Sequence, residues 1–188
     1  VMPSGANMFY MDHPNANENY SEFIGKELVK ITRRMFPLSH KKEDTFIAGL
    51  SMGGYGAIRN GLKYHDTFGY IAGLSSPMFF EKKSFLESVF GDLSRIKDCE
   101  INPEWIAENM KKDGIPFPHM YLACGLDDPL LPPNRKFRDA MQKLGVDVTY
   151  EEGPGAHEWD FWDRYIEKAI EWLPTDDTVE GLGSGNIG

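Results

Sequence analysis

The residue types able to do chemistry in this chain gather in three short stretches: Gly49-Leu50-Ser51-Met52-Gly53, Asp127-Asp128 and Gly155-Ala156-His157. The first reads G-x-S-x-G. An apolar run from Thr45 to Leu50 precedes it, and Tyr55, Ile58 and Leu62 follow at helical spacing. That is the strand–turn–helix setting of a nucleophile elbow, a tight turn that holds a serine hydroxyl clear of its backbone. Gly49 and Gly53 are expected there because side chains would clash where the turn crosses neighbouring backbone. Ser51 then stands at a helix N-terminus, where unpaired N–H groups and the helix dipole favour a developing negative charge. The implied chemistry is nucleophilic attack on an acyl carbon.

A serine hydroxyl is a poor nucleophile near neutral pH and needs a base within hydrogen-bond reach, usually a histidine oriented by a carboxylate. With an elbow of this kind the chain order is serine, acid, histidine. His13 and His40 precede Ser51 in polar loops, His65 follows the elbow helix, and His119 opens a strand. His157 alone follows a strand and precedes a helix, in Gly153-Pro154-Gly155-Ala156-His157-Glu158-Trp159. For the acid, Leu122-Ala123-Cys124-Gly125-Leu126-Asp127-Asp128-Pro129 puts two aspartates just past a strand end. The residues themselves hardly separate them; Pro129 restrains Asp128 to an extended conformation, a mild preference for it. Glu158, Asp160 and Asp163 are better explained as first-turn acids complementing a helix dipole.

These groups need a frame to bring them together. Periodicity of the apolar positions Phe23, Ile24, Leu28, Ile31 and Met35 predicts a helix from Tyr20 closed by Pro37, with a short buried strand at Thr45–Leu50 and a short apolar strand at Tyr70–Leu74. A helix over Pro103–Lys112 follows, then a strand at His119–Cys124, a helix at Pro133–Leu144 and a strand at Val146–Tyr150. The last element is a helix at Glu158–Leu173 with Trp159, Trp162, Ile166, Ala169, Ile170 and Leu173 inward. Residues 78–114 read as an insertion over the site and residues 175–188 as a mobile glycine-rich tail, leaving residues 1–174 as one domain. Strands alternating with helices imply a parallel sheet covered on both faces, with function gathered at the carboxyl ends of its strands.

Bulk composition narrows the partners. The chain has 188 residues and a net charge of −9, which disfavours nucleic acid and anionic membranes and says little about a neutral ester. Cys99 and Cys124 do not make a disulfide framework and suit a reduced, cytoplasmic compartment, with Cys124 a small core residue. No apolar run approaches the roughly 20 residues that span a bilayer. No metal-ligand spacing stands out, so neither a metal nor another cofactor is expected.

The motifs Gly49-Leu50-Ser51-Met52-Gly53-Gly54-Tyr55-Gly56, Cys124-Gly125-x-x-Asp128-x-Leu130 and Gly155-x-His157-Glu158-Trp159 resemble those of the esterase D-like α/β-hydrolases. Within them the chain is most similar to the tributyrin esterase branch, which includes acetyl and feruloyl esterases, and the likeness runs from Val1 to about Pro174. The resemblance implies an α/β-hydrolase fold and a Ser51–Asp128–His157 triad, the acid being selected because it follows C-G-x-x. It also implies that the N–H of Met52 is one oxyanion-hole donor. Such esterases open with several strands and a His-Gly-containing loop that supplies a second donor. Here Val1-Met2-Pro3 resembles the tail of a strand that should follow that region. The expectation is a chain lacking the N-terminal strands and carrying half of an oxyanion hole, with the missing segment present as a second chain, or with a homo-oligomer covering the edge.

The expected activity is hydrolysis of short-chain acyl esters of carbohydrate or aryl alcohols through an acyl-enzyme, with Met78, Phe79, Phe80 and Trp159 lining the substrate pocket. Two other readings are an S-formylglutathione hydrolase-like thioesterase and a non-catalytic module that binds a partner through an unprotected sheet edge.

Overall fold

The computed structural model describes residues 1–13, 18–78 and 98–175. Its frame is a four-stranded, wholly parallel sheet in the order β3-β4-β5-β6: β3 (Phe46–Leu50), β4 (Tyr70–Leu74), β5 (His119–Gly125) and β6 (Val148–Gly153). A two-residue antiparallel pair, β1 (Asp12–His13) and β2 (Glu18–Asn19), lies ahead of it. Between β2 and β3 the chain runs through α1 (Tyr20–Glu22), a π-helical turn (Phe23–Glu27), α2 (Leu28–Met35) and a short 3-10 turn (Lys42–Asp44). Then come α3 (Met52–Lys63) after β3, α4 (Pro103–Lys112) before β5, α5 (Leu131–Leu144) before β6, and α6 (Trp159–Trp172).

Parallel strands need crossover connections, and helices in those crossovers cover both sheet faces. Alternation along β5 shows the division. Met120 and Leu122 point into a core with Ile58 and Leu62 of α3, Ile106, Ala107 and Met110 of α4, and Phe137 and Met141 of α5. Tyr121 and Ala123 point the other way, into a core with Phe161, Trp162, Tyr165 and Ala169 of α6. Asn102 caps α4 by accepting a hydrogen bond from the N–H of Glu104, with Pro103 in the first turn where its missing N–H costs nothing. Gly145 ends α5 in the left-handed conformation that glycine adopts without strain.

Several expectations need correction. Val1–Pro3 joins no strand, and Val1 and Met2 are exposed because nothing pairs with them among the described residues. The expected Tyr20 helix forms, but Ile31 and Met35 stand exposed on it, and a π-helical turn shifts the phase that a uniform 3.6-residue period assumes. β3 was expected to be buried. It is half-buried, because among the described residues it pairs with β4 alone and forms one edge of the sheet. β6 starts two residues later than expected and extends to Gly153. In α6, Trp159 and Ile170 are exposed while Phe161 and Tyr165 are buried. Of the segment read as an insertion over the site, residues 79–97 lie outside the described residues, as do 176–188 of the glycine-rich tail; α4 packs into the sheet core. No helix among the described residues is long and apolar enough to cross a membrane.

Candidate active site

Ser51 joins β3 to α3 with φ 50° and ψ −122°, a backbone conformation that costs a non-glycine residue about 1–3 kcal/mol. Its N–H donates to the Leu74 carbonyl at 2.8 Å, which ties the turn to the end of β4. The glycines around it act unequally. A Cβ on Gly49 would overlap the Gly53 carbonyl oxygen and lie 2.9 Å from the Gly54 nitrogen. Gly53 has room, with the Tyr10 ring its nearest neighbour at 3.9 Å. The second crowded position is Gly54, where a Cβ would overlap Ser76 Oγ and lie 2.9 Å from the Leu74 carbonyl. The clash expected at Gly53 therefore falls at Gly54, because α3 meets the end of β4 one residue further on. Gly49→Ala should cost about 1–3 kcal/mol or more through overpacking against backbone, whereas Gly53→Ala should hold or raise Tm, alanine being the better helix former. Thermal melts of the two variants check this, and equal Tm values would refute the asymmetry.

The other two loops are laced together. The Leu126 N–H donates to the Gly153 carbonyl at 2.9 Å and the Asp127 N–H to the Gly155 carbonyl at 3.0 Å. A Cβ on Gly125 would overlap the Gly155 carbonyl, so the close approach of these loops needs glycine there. Gly155 itself has φ 135°. This lacing sends Asp127 outward and Asp128 inward, with the Asp128 side chain fully buried.

Ser51, His157 and Asp128, separated by 106 and 29 positions in sequence, meet in one line. Ser51 Oγ lies 2.8 Å from His157 Nε2, and His157 Nδ1 lies 2.9 Å from Asp128 Oδ2. Asp128 Oδ1 accepts a further hydrogen bond from the Leu130 N–H at 2.8 Å. An ionised carboxylate can only accept, so the proton of a neutral imidazole belongs on Nδ1. Nε2 is then the acceptor facing the serine hydroxyl. Such a line can pass the hydroxyl proton to the imidazole while the buried carboxylate stabilises the imidazolium.

The remaining candidates divide. Met52 opens α3, and the first N–H groups of a helix have no partner within it; the Ser51 side chain does not cap them. Met78 is half-buried and packs against the α3–α4–α5 core. Phe79 and Phe80 lie outside the described residues. Trp159 is 65 % exposed, its ring perpendicular to that of Trp162. Cys124 is buried, and burial pushes its thiol up to about 12, which fits a core residue and not a nucleophile. His119, at the opposite end of β5, stacks on Tyr70 and pairs with Asp147 at 2.8 Å. Reasoning from sequence missed the contacts of Gly54 and Gly125, and it read Trp162 only as core. Trp162 touches the His157 ring, with centroids 4.9 Å apart. A tryptophan five positions past a loop histidine, in the first turns of the next helix, was the available signal.

The model of a family described as "Putative esterase" matches residues 2–173. An acetyl esterase of Caldicellulosiruptor saccharolyticus is 40 % identical over 186 residues, covering 92 % of this chain and 70 % of that protein. An S-formylglutathione hydrolase structure from Staphylococcus aureus superposes with a TM-score of 0.78 at 31 % identity, covering 89 % of this chain and 68 % of the other. A fluorophosphonate-binding serine hydrolase of the same organism, solved with substrate bound, gives a TM-score of 0.76 at 33 % identity, covering 85 % of this chain and 65 % of its own. The chain thus spans about two thirds of the length of each of these proteins.

Proposed function

Because this chain belongs to the esterase family and is a serine-type carboxylic ester hydrolase, we propose that it cleaves short-chain acyl esters of aryl or carbohydrate alcohols with Ser51, His157 and Asp128 as its triad. Ser51 Oγ attacks the ester carbonyl as His157 Nε2 takes its proton. The tetrahedral oxyanion forms beside the N-terminus of α3, where the Met52 N–H and the helix dipole stabilise it. Collapse expels the alcohol with the proton held by His157, and water then releases the acyl group by the same steps in reverse order. Asp128 keeps the imidazole in the tautomer that can accept from Ser51.

The observation that carries this reading is the unbroken hydrogen-bond line from Ser51 through His157 to the buried Asp128. The choice of a short acyl group follows the 40 % identity to an acetyl esterase. Trp159, exposed beside the His157 loop, offers an apolar face for the substrate. A second reading, thioester hydrolysis, is favoured by the likeness to the S-formylglutathione hydrolase.

A fluorophosphonate probe tests the chemistry and a substrate panel the specificity. The probe is expected to label the peptide containing Ser51, and 4-nitrophenyl acetate to be turned over faster than S-formylglutathione. A folded sample that takes no label would overturn the triad. Faster thioester turnover would instead favour the second reading.

A further inference from the structure

We infer that Trp162 is a positioning residue that holds the plane of the His157 imidazole through the catalytic cycle; this rests on the triad reading above. The two nitrogens of His157 are aligned by Ser51 and Asp128 in the resting state. Once Ser51 Oγ bonds to the acyl carbon its hydrogen bond to Nε2 is broken, and only the Asp128 contact restrains the ring. The torsion about Cβ–Cγ of histidine is broad. The loop carrying His157 is glycine-rich, and its side chain is 31 % exposed. A wall against the ring is therefore needed to keep Nε2 aimed first at Ser51 and then at the leaving group.

Trp162 supplies that wall. Its ring stands at 88° to the imidazole with centroids 4.9 Å apart, within the preferred range for perpendicular aromatic pairs. The indole is itself fixed. It belongs to the core formed by β4, β5 and α6, and the Trp159 ring braces it at 5.4 Å and 85°. The backbone N–H of Trp162 donates to the Glu158 carbonyl at 3.2 Å, tying the ring's base to the residue after His157. The indole N–H is buried with no acceptor among the described residues, which disfavours tryptophan relative to a wholly apolar ring of similar shape.

The test compares Trp162→Phe, which keeps an aromatic wall, with Trp162→Leu, which fills the space without one. For Trp162→Leu, kcat is expected to fall by about 10- to 100-fold with KM within twofold, because misplacement of a catalytic group acts on the chemical step. The rate of fluorophosphonate labelling should fall in parallel, and Trp162→Phe should recover kcat to within about threefold by keeping the ring contact. Melting curves establish that each variant is folded. Unchanged kcat in folded Trp162→Leu would overturn the inference, and so would Trp162→Phe falling as far as Trp162→Leu, or losses shared between kcat and KM. Should Trp162→Leu not fold, the parent protein still decides: nuclear Overhauser contacts between the indole and the His157 ring, with one ring orientation, are expected, and their absence would overturn it. A folded Ser51→Ala protein as active as its parent would defeat the triad itself, an outcome distinct from all of these.

Discussion

Ser51→Ala is expected to lower kcat for 4-nitrophenyl acetate by about 10⁴- to 10⁶-fold, the range seen when the nucleophile of a serine triad is removed. The substitution deletes one oxygen and leaves the geometry around it intact. Alanine inherits the φ of 50° at the elbow, so the strain stored there stays, and the Ser51 N–H still donates to Leu74. Tm should therefore change by no more than a few degrees, which corresponds to about 1 kcal/mol in a domain of this size. Residual turnover would come from the Met52 N–H, the helix dipole and substrate binding, none of which needs the hydroxyl. Initial rates together with a thermal melt check the pair of outcomes. A folded Ser51→Ala protein as active as its parent would rule out acyl-enzyme chemistry at this position.

The second large effect is expected at Asp128. Asp128→Asn should lower kcat by about 10⁴-fold, whereas Asp127→Asn should stay within about threefold of the parent. Both oxygens of the buried carboxylate accept, Oδ1 from the Leu130 N–H and Oδ2 from His157 Nδ1. An asparagine presents one oxygen and one NH₂, so one of these donors would face another donor. Keeping the Leu130 contact turns the NH₂ toward His157, which then relieves the clash by moving its proton from Nδ1 to Nε2. In that tautomer the nitrogen facing Ser51 carries a hydrogen and cannot accept the hydroxyl proton. Asp127 contributes its backbone N–H to the lacing between the loops, and Asp127→Asn preserves that bond. Parallel kinetics of the two variants decide the matter; comparable losses would mean that the acid is not assigned to one residue by this geometry.

Much of the site was legible from local pattern. G-x-S-x-G followed by apolar residues at helical spacing identifies an elbow because both the turn and the helix are short-range structures. The order of Ser51, Asp128 and His157, each just past a predicted strand, was legible for the same reason. The faces of α6 were less so. Its sequence carries apolar residues on nearly every side, Trp159, Phe161, Trp162, Tyr165, Ile166, Ala169 and Ile170, so periodicity admits two adjacent stripes. Contact with Tyr121 and Ala123 of β5 chose the stripe that buries Phe161 and Tyr165 and turned Trp159 outward.

What sequence alone determined, then, was most of the local elements, their parallel arrangement and the placing of Ser51 and His157 just past strand ends, because strands, turns and helices are encoded over a few neighbouring residues. Tertiary structure decided the rest. It set Asp128, which the C-G-x-x resemblance had favoured over Asp127, against His157 through hydrogen bonds between two loops that meet only once β5 and β6 are paired in register. It moved the crowding at the elbow from Gly53 to Gly54, because the obstacle belongs to the end of β4 and not to the turn. It also placed the Trp162 ring against His157. Each of these depends on the distance between segments remote in the chain, and no local period or motif carries that distance.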